Sequence, residues 1–177
     1  MKRDLLLTVL CLLVTAAVAH AQGSTGTSAV SLTVTAEASI TVNTGTTTLT
    51  SSGIFADYTG STSLTYLIRT TQTTGSGNIV LKVTTDFNCA AGGPCVATPP
   101  TAGDKLAYTC TADAPGTACS GSQTASTSAT TPVASFGADA HTNTAGASAT
   151  VGWSLTNDPI YKTGPYSATV TFTISAS

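Results

Sequence analysis

The chain has 177 residues, of which 6 are Lys or Arg and 8 are Asp or Glu, giving 8% charge and a net charge of −2. Ordinary soluble domains carry about 25% charged residues, so the polar surface here has to come from 38 Thr and 19 Ser. The four cations beyond residue 21 are scattered singly, which excludes a nucleic-acid-binding face, while 41% hydrophobic residues exclude charge-driven disorder.

Taken in chain order, the first segment reads as an address. Met1-Lys2-Arg3 is positive, residues 5–18 are an almost unbroken apolar run, and Ala19-His20-Ala21 is a small-x-small cleavage site. Those parts in that order describe a secretory signal peptide over 1–21. The apolar run is shorter than the roughly 20 residues a spanning helix needs, and Cys11 follows Leu10, not the small residue that lipid attachment requires. The expected product is exported, secreted or held at the cell surface, with no membrane span. Its mature part, 22–177, has the length of a single domain.

From Val30 the sequence alternates. Val30, Leu32, Val34, Ala36, Ala38, Ile40 and Val42 share one face, with Ser, Thr and Glu37 between them. That period of two predicts a half-buried strand, or two strands meeting near Ala36-Glu37. The pattern returns with Leu64, Tyr66 and Ile68, and again with Ile79, Leu81, Val83 and Phe87 after a turn at Gly75-Ser76-Gly77-Asn78, which reads as a hairpin turn. Leu106, Tyr108 and Cys110 follow, then a weaker run around Val133 and Phe136. Ala147, Ala149, Val151, Trp153 and Leu155 come next, and Tyr166, Ala168, Val170, Phe172 and Ile174 come last. Residues 44–52 and 120–131 are Thr- and Ser-rich and read as surface excursions or weak edge strands. Beyond the signal no helical period occurs. The expected fold is all-β, an antiparallel β-sandwich of seven to nine strands, immunoglobulin-like or jelly-roll. Threonine suits it, being β-branched and hydroxylated, so one residue type both favours strands and wets the outer face.

Four cysteines remain after the signal: Cys89, Cys95, Cys110 and Cys119. An even count in an exported chain predicts disulfides. Pairing 89–95 with 110–119 is favoured because each pair brackets a turn-rich stretch; 89–119 with 95–110 is the alternative. Four-thiolate zinc is the competing use, but neither spacing is the Cys-x-x-Cys such sites favour.

Catalytic signals are sparse. His141 is the sole histidine after residue 21, with Asp139 nearby and no nucleophile elbow. The acids Glu37, Asp57, Asp86, Asp104, Asp113, Asp139 and Asp158 are far apart in sequence, where glycoside hydrolysis needs a facing pair. Asp86-Phe87-Asn88 and Asn157-Asp158 offer oxygens for calcium, but no calcium-loop spacing exists and capping of turns by Asx side chains reads better. No cofactor and no catalytic residue are expected. Trp153 falls on the apolar face of its strand and is expected in the core, which leaves Tyr58, Tyr161 and Tyr166 as candidates for exposed contact with a glycan.

Two stretches carry resemblances. Gly164-Pro165-Tyr166-Ser167-Ala168-Thr169-Val170-Thr171-Phe172-Thr173-Ile174 resembles the terminal strand of secreted bacterial sandwich subunits of the spore coat protein U-like and chaperone–usher pilin families. That resemblance implies a subunit that polymerises by β-strand addition, with residues 29–42 supplying the donated strand. Trp153-Ser154-Leu155 is similar to the Trp-x-Leu motif of cell-wall-associated WxL domains, of which one copy occurs here. The expected function is therefore an exported, non-enzymatic structural or surface protein, coat- or fimbria-like, whose partners are further copies or other surface components. A secreted glycan- or cell-wall-binding module is the alternative.

Overall fold

The computed structural model describes residues 25–177; the signal-peptide segment lies outside them. Residues 25–36 have no regular secondary structure. Ten strands follow: β1 (Glu37–Val42), β2 (Thr50–Ser51), β3 (Tyr58–Arg69), β4 (Gly77–Thr85), β5 (Leu106–Ala112), β6 (Thr117–Ala118), β7 (Gln123–Thr124), β8 (Thr131–Phe136), β9 (Ala147–Leu155) and β10 (Thr169–Ala176). They form two antiparallel sheets, ordered β1-β3-β9-β5-β7 with β2 also on β3, and β10-β4-β8-β6. The fold is the expected β-sandwich. Its count exceeds seven to nine because β2, β6 and β7 are two-residue strands within or beside the Thr- and Ser-rich stretches, too short to show a period of two.

The alternation in sequence becomes burial wherever both neighbours of a strand exist. Leu64, Tyr66 and Ile68 of β3, Ile79, Leu81 and Val83 of β4, and Ala149, Val151, Trp153 and Leu155 of β9 are all buried. Tyr66 packs on Phe136 with ring centroids 5.2 Å apart, and Tyr108 on Trp153 at 5.5 Å, both tilted, a geometry that aromatic quadrupoles favour. Buried polar atoms are paired: Tyr66 donates to the carbonyl of Asp113 (2.5 Å) and Tyr108 to that of Pro132 (2.8 Å). The stretch at Gly75–Asn78 does not make a hairpin. It joins β3 in one sheet to β4 in the other, and Gly75 is needed because a Cβ there would lie 2.3 Å from the Thr71 carbonyl oxygen.

The two sides of the sandwich differ. On the β6–β7 side the sheets are joined: Cys110 of β5 bonds to Cys119 beside β6, with Cα atoms 5.5 Å apart. Ala125 and Ser126 bridge the layers as well, through Ala125 N–H to Leu106 C=O (2.9 Å) and Val83 N–H to Ser126 C=O (2.9 Å). The favoured cysteine pairing is the one present, the other bond being Cys89–Cys95.

On the opposite side, β1 and β10 each end their sheet. The inward residues of β10, Val170, Phe172 and Ile174, are only half-buried. In β1 Ile40 alone is half-buried, and Val42 is 42% exposed.

Two expectations fail here. Residues 30–36 are not part of a half-buried strand: Val30 is 95% exposed, Leu32 86% and Val34 60%. Tyr166 and Ala168 precede the last strand rather than belonging to it.

This asymmetry has a measurable consequence. Leu81→Ala, in the closed interior, is expected to cost about 2–5 kcal/mol. Phe172→Ala, on the open side, should cost clearly less than the about 3–5 kcal/mol of a fully buried Phe, and urea unfolding of the two variants checks the ranking.

Candidate functional site

The half-covered face of β10 borders a cleft of about 1020 Å³ between the sheets. Both sheets and the connections between strands contribute to its walls. Tyr58, Thr62, Trp153 and Leu155 project from the first sheet, Val170 and Phe172 from β10, and Phe87 and Pro94 from the loop after β4. The inner wall is apolar because these positions continue the period-two faces that fill the core.

Trp153 forms the deep end. It is 6% exposed, and its Nε1–H donates to Thr62 Oγ1 at 2.8 Å. Thr62 Oγ1 also shares a hydrogen bond with Thr47 Oγ1 at 2.7 Å. The expected core position of Trp153 is therefore the observed one, with its polar edge satisfied. Tyr58, Tyr161 and Tyr166, named from sequence as candidates for exposed contact, are half-buried and all line this cleft. Sequence reasoning gave no reason for them to converge.

Two long connections, after β4 and after β9, line the cleft together with residues 44–49 after β1. Between β4 and β5, Asp86 organises the loop: Oδ1 accepts the N–H of Phe87 and of Val96 (both 2.8 Å), and Oδ2 accepts that of Ala97 (2.8 Å). Asp158, between β9 and β10, accepts the N–H of Ile160 at 2.9 Å. Asp158 thus serves as the expected Asx cap, whereas Asp86 bridges the two ends of its loop instead of capping a turn. Asp86 also lies beside Cys89 and Cys95, with ligand-type atoms within 4.8 Å of one another. Both sulfurs are committed to the disulfide, so the trio offers a cation one carboxylate.

A second network joins the two connections. Tyr161 OH donates to Asp104 Oδ2 at 2.6 Å, and Thr101 Oγ1 donates to Asp158 Oδ2. Asp104 is 6% exposed. Sequence separation gave no hint that these two acids meet; the long irregular stretch before β5 was the one available signal, since such loops are uncommon unless functional. Both carboxylates are occupied by donors of their own chain. Burial, then the hydrogen bond to Asp104, then the charges of Asp104 and Asp158 push the Tyr161 phenol well above its ordinary value. The Thr101 hydroxyl, then the Ile160 N–H, hold the Asp158 carboxyl below the usual carboxylate range, with burial opposing.

His141 stands apart from the cleft's lining, exposed, with Nδ1 2.8 Å from the Asp139 carbonyl oxygen. Glu37 pairs with Arg69 at 2.9 Å on the surface. Among the described residues no helix is long and apolar enough to cross a membrane, and the two disulfides are compatible with an extracellular protein. No family model, curated protein or solved structure matches the chain.

The pKa directions set a pH window for the network. Asp158 contributes fully above its unfolded value of about 4, and that contribution is lost as pH falls through the lower folded value. Tyr161 contributes fully below about pH 10 and loses its contribution as pH rises further. Tyr161→Phe should shrink the alkaline limb to the share that burial gives Tyr66 and Tyr108, keep the acid limb, and cost about 1–3 kcal/mol by removing the donor to buried Asp104. Thermal melts across pH check all three.

Proposed function

We propose that the chain is an exported structural subunit of a coat- or fimbria-like surface assembly, joined copy to copy by β-strand addition. The observation that carries this reading is a pair of complementary defects. Val30, Leu32 and Val34 form a period-two apolar row that is left exposed, and β10 pairs with β4 alone, lies beside β1 without a ladder to it, and has a half-covered inward face beside a large cleft. Residues 29–36 are the donated segment. Residues 37–42, which the resemblance also assigned to it, are held in their own sheet as β1. Eight residues of strand span about 26 Å, matching the eight of β10. Seating three aliphatic side chains in the cleft supplies about 1.5–3 kcal/mol each, and the edge of β10 supplies backbone partners.

Export is supported by the signal-like first 21 residues and by the two disulfides. A non-enzymatic role is supported by acids whose oxygens, at Asp86, Asp104 and Asp158, serve internal caps and loop contacts. One observation favours a second occupant. Three tyrosines line the same cleft, a setting in which sugar rings of a glycan or cell-wall polymer can stack.

Sedimentation of the mature chain separates these readings. Strand addition predicts multimers that grow with concentration, and Leu32→Asp should reduce them to monomers without lowering the melting temperature. A wild-type chain that stays monomeric at every concentration, with an oligosaccharide binding the cleft, would replace assembly by glycan binding.

A further inference from the structure

We infer that the ring closed by Cys89–Cys95 is a latch that holds the mouth of the cleft in shape, and that opening this bond loosens the mouth while the sandwich stays folded. The latch controls assembly only if the reading above holds; its structural part stands independently.

The two disulfides occupy different mechanical positions. Cys110–Cys119 ties one sheet to the other. Cys89–Cys95 closes a ring within a single loop, separated by 6 residues, and joins no strands. Cys95 is buried, whereas Cys89 is half-exposed and open to a reductant.

What the ring does hold is a platform. Gly92, with φ +78°, and Gly93 lie inside it, and Lys162 and Tyr166 dock on them. The Lys162 N–H donates to the Gly92 carbonyl at 3.0 Å. The Lys162 side-chain stem passes so close to Gly92 that a Cβ there would lie 3.1 Å from Lys162 Cδ. The Tyr166 ring lies flush on Gly93, where a Cβ would stand 2.0 Å from Tyr166 Cε1. Lys162 and Tyr166 are cleft-lining residues, as is Pro94 within the ring. The mouth is therefore a contact of one loop on another whose geometry is set at two glycines, and those glycines are kept in place by the ring.

Asp86 limits the damage when the ring opens. Its carboxylate ties Phe87 to Val96 and Ala97, so the base of the loop stays closed and only the ring's interior gains freedom. The opening step is thiol–disulfide exchange with an external dithiol. The dithiol's two sulfurs are oxidised to its own disulfide, and its two protons end on the sulfurs of Cys89 and Cys95.

The test uses two variants that reach the same contact by different routes: Cys89→Ser/Cys95→Ser, which removes the ring, and Gly93→Ala, which keeps it but expels Tyr166. Amide hydrogen exchange reads Lys162 against Cys119, whose N–H bonds the carbonyl of buried Val133 on the far side of the sandwich. In both variants Lys162 should lose about tenfold or more of its protection while Cys119 keeps its own. Binding of a synthetic peptide of residues 29–36 should weaken by about threefold or more in parallel. Unchanged Lys162 protection in the double-serine variant overturns the latch, as does loss of protection throughout the sandwich. If the peptide binds neither wild type nor variants while Lys162 responds, the latch stands and the assembly reading fails.

Discussion

A sandwich buries a strand's inward face only if something covers it from the other sheet. On the β6–β7 side that condition is met several times over, by the Cys110–Cys119 bond, by the Ala125–Ser126 bridge and by the Tyr108 hydroxyl of β5 donating to the Pro132 carbonyl of β8. On the β1–β10 side it is met only in part: β1 lies beside β10, yet Val170, Phe172 and Ile174, which belong to the core by pattern, are only half-covered. The same chain carries Val30, Leu32 and Val34, patterned for a core they do not occupy. The cleft, the exposed segment and the proposed assembly are three expressions of that single deficit. Its cause is geometric, because a sheet edge always leaves backbone groups unpaired and apolar faces unsealed unless another strand arrives.

Low charge fits this arrangement. Edge strands are commonly protected by Lys or other charges that make strand addition unfavourable. Here β10 reads Thr-Val-Thr-Phe-Thr-Ile-Ser-Ala without a charge, and β1 carries Glu37 alone, already paired with Arg69. Hydroxyls hydrate the outer face without the like-charge repulsion that would oppose the proposed strand addition.

Much of the fold was legible because strand patterning is local. Leu64, Tyr66 and Ile68, or Val151, Trp153 and Leu155, alternate in sequence and are buried in the structure for the same reason. Val30, Leu32 and Val34 alternate just as well and are exposed, because a period of two records fitness for a buried face and carries no information about whose face it is. The cysteine pairs were legible because each brackets a turn-rich stretch. The convergence of Tyr58, Tyr161 and Tyr166 on one cleft was not, nor was the meeting of Thr101 and Asp104 with Asp158 and Tyr161. Those contacts join irregular connections across more than fifty residues, where neither period nor turn chemistry gives a direction.

The central claim is that residues 29–36 of one copy seat on β10 of another. A photoreactive residue at position 32 of the mature chain, irradiated in solution and mapped by mass spectrometry, tests it most directly. The account predicts adducts between chains, concentrated on Val170 and Phe172 and lost when an excess of the free 29–36 peptide is present. Adducts confined within single chains, or spread over the β6–β7 side, would contradict it.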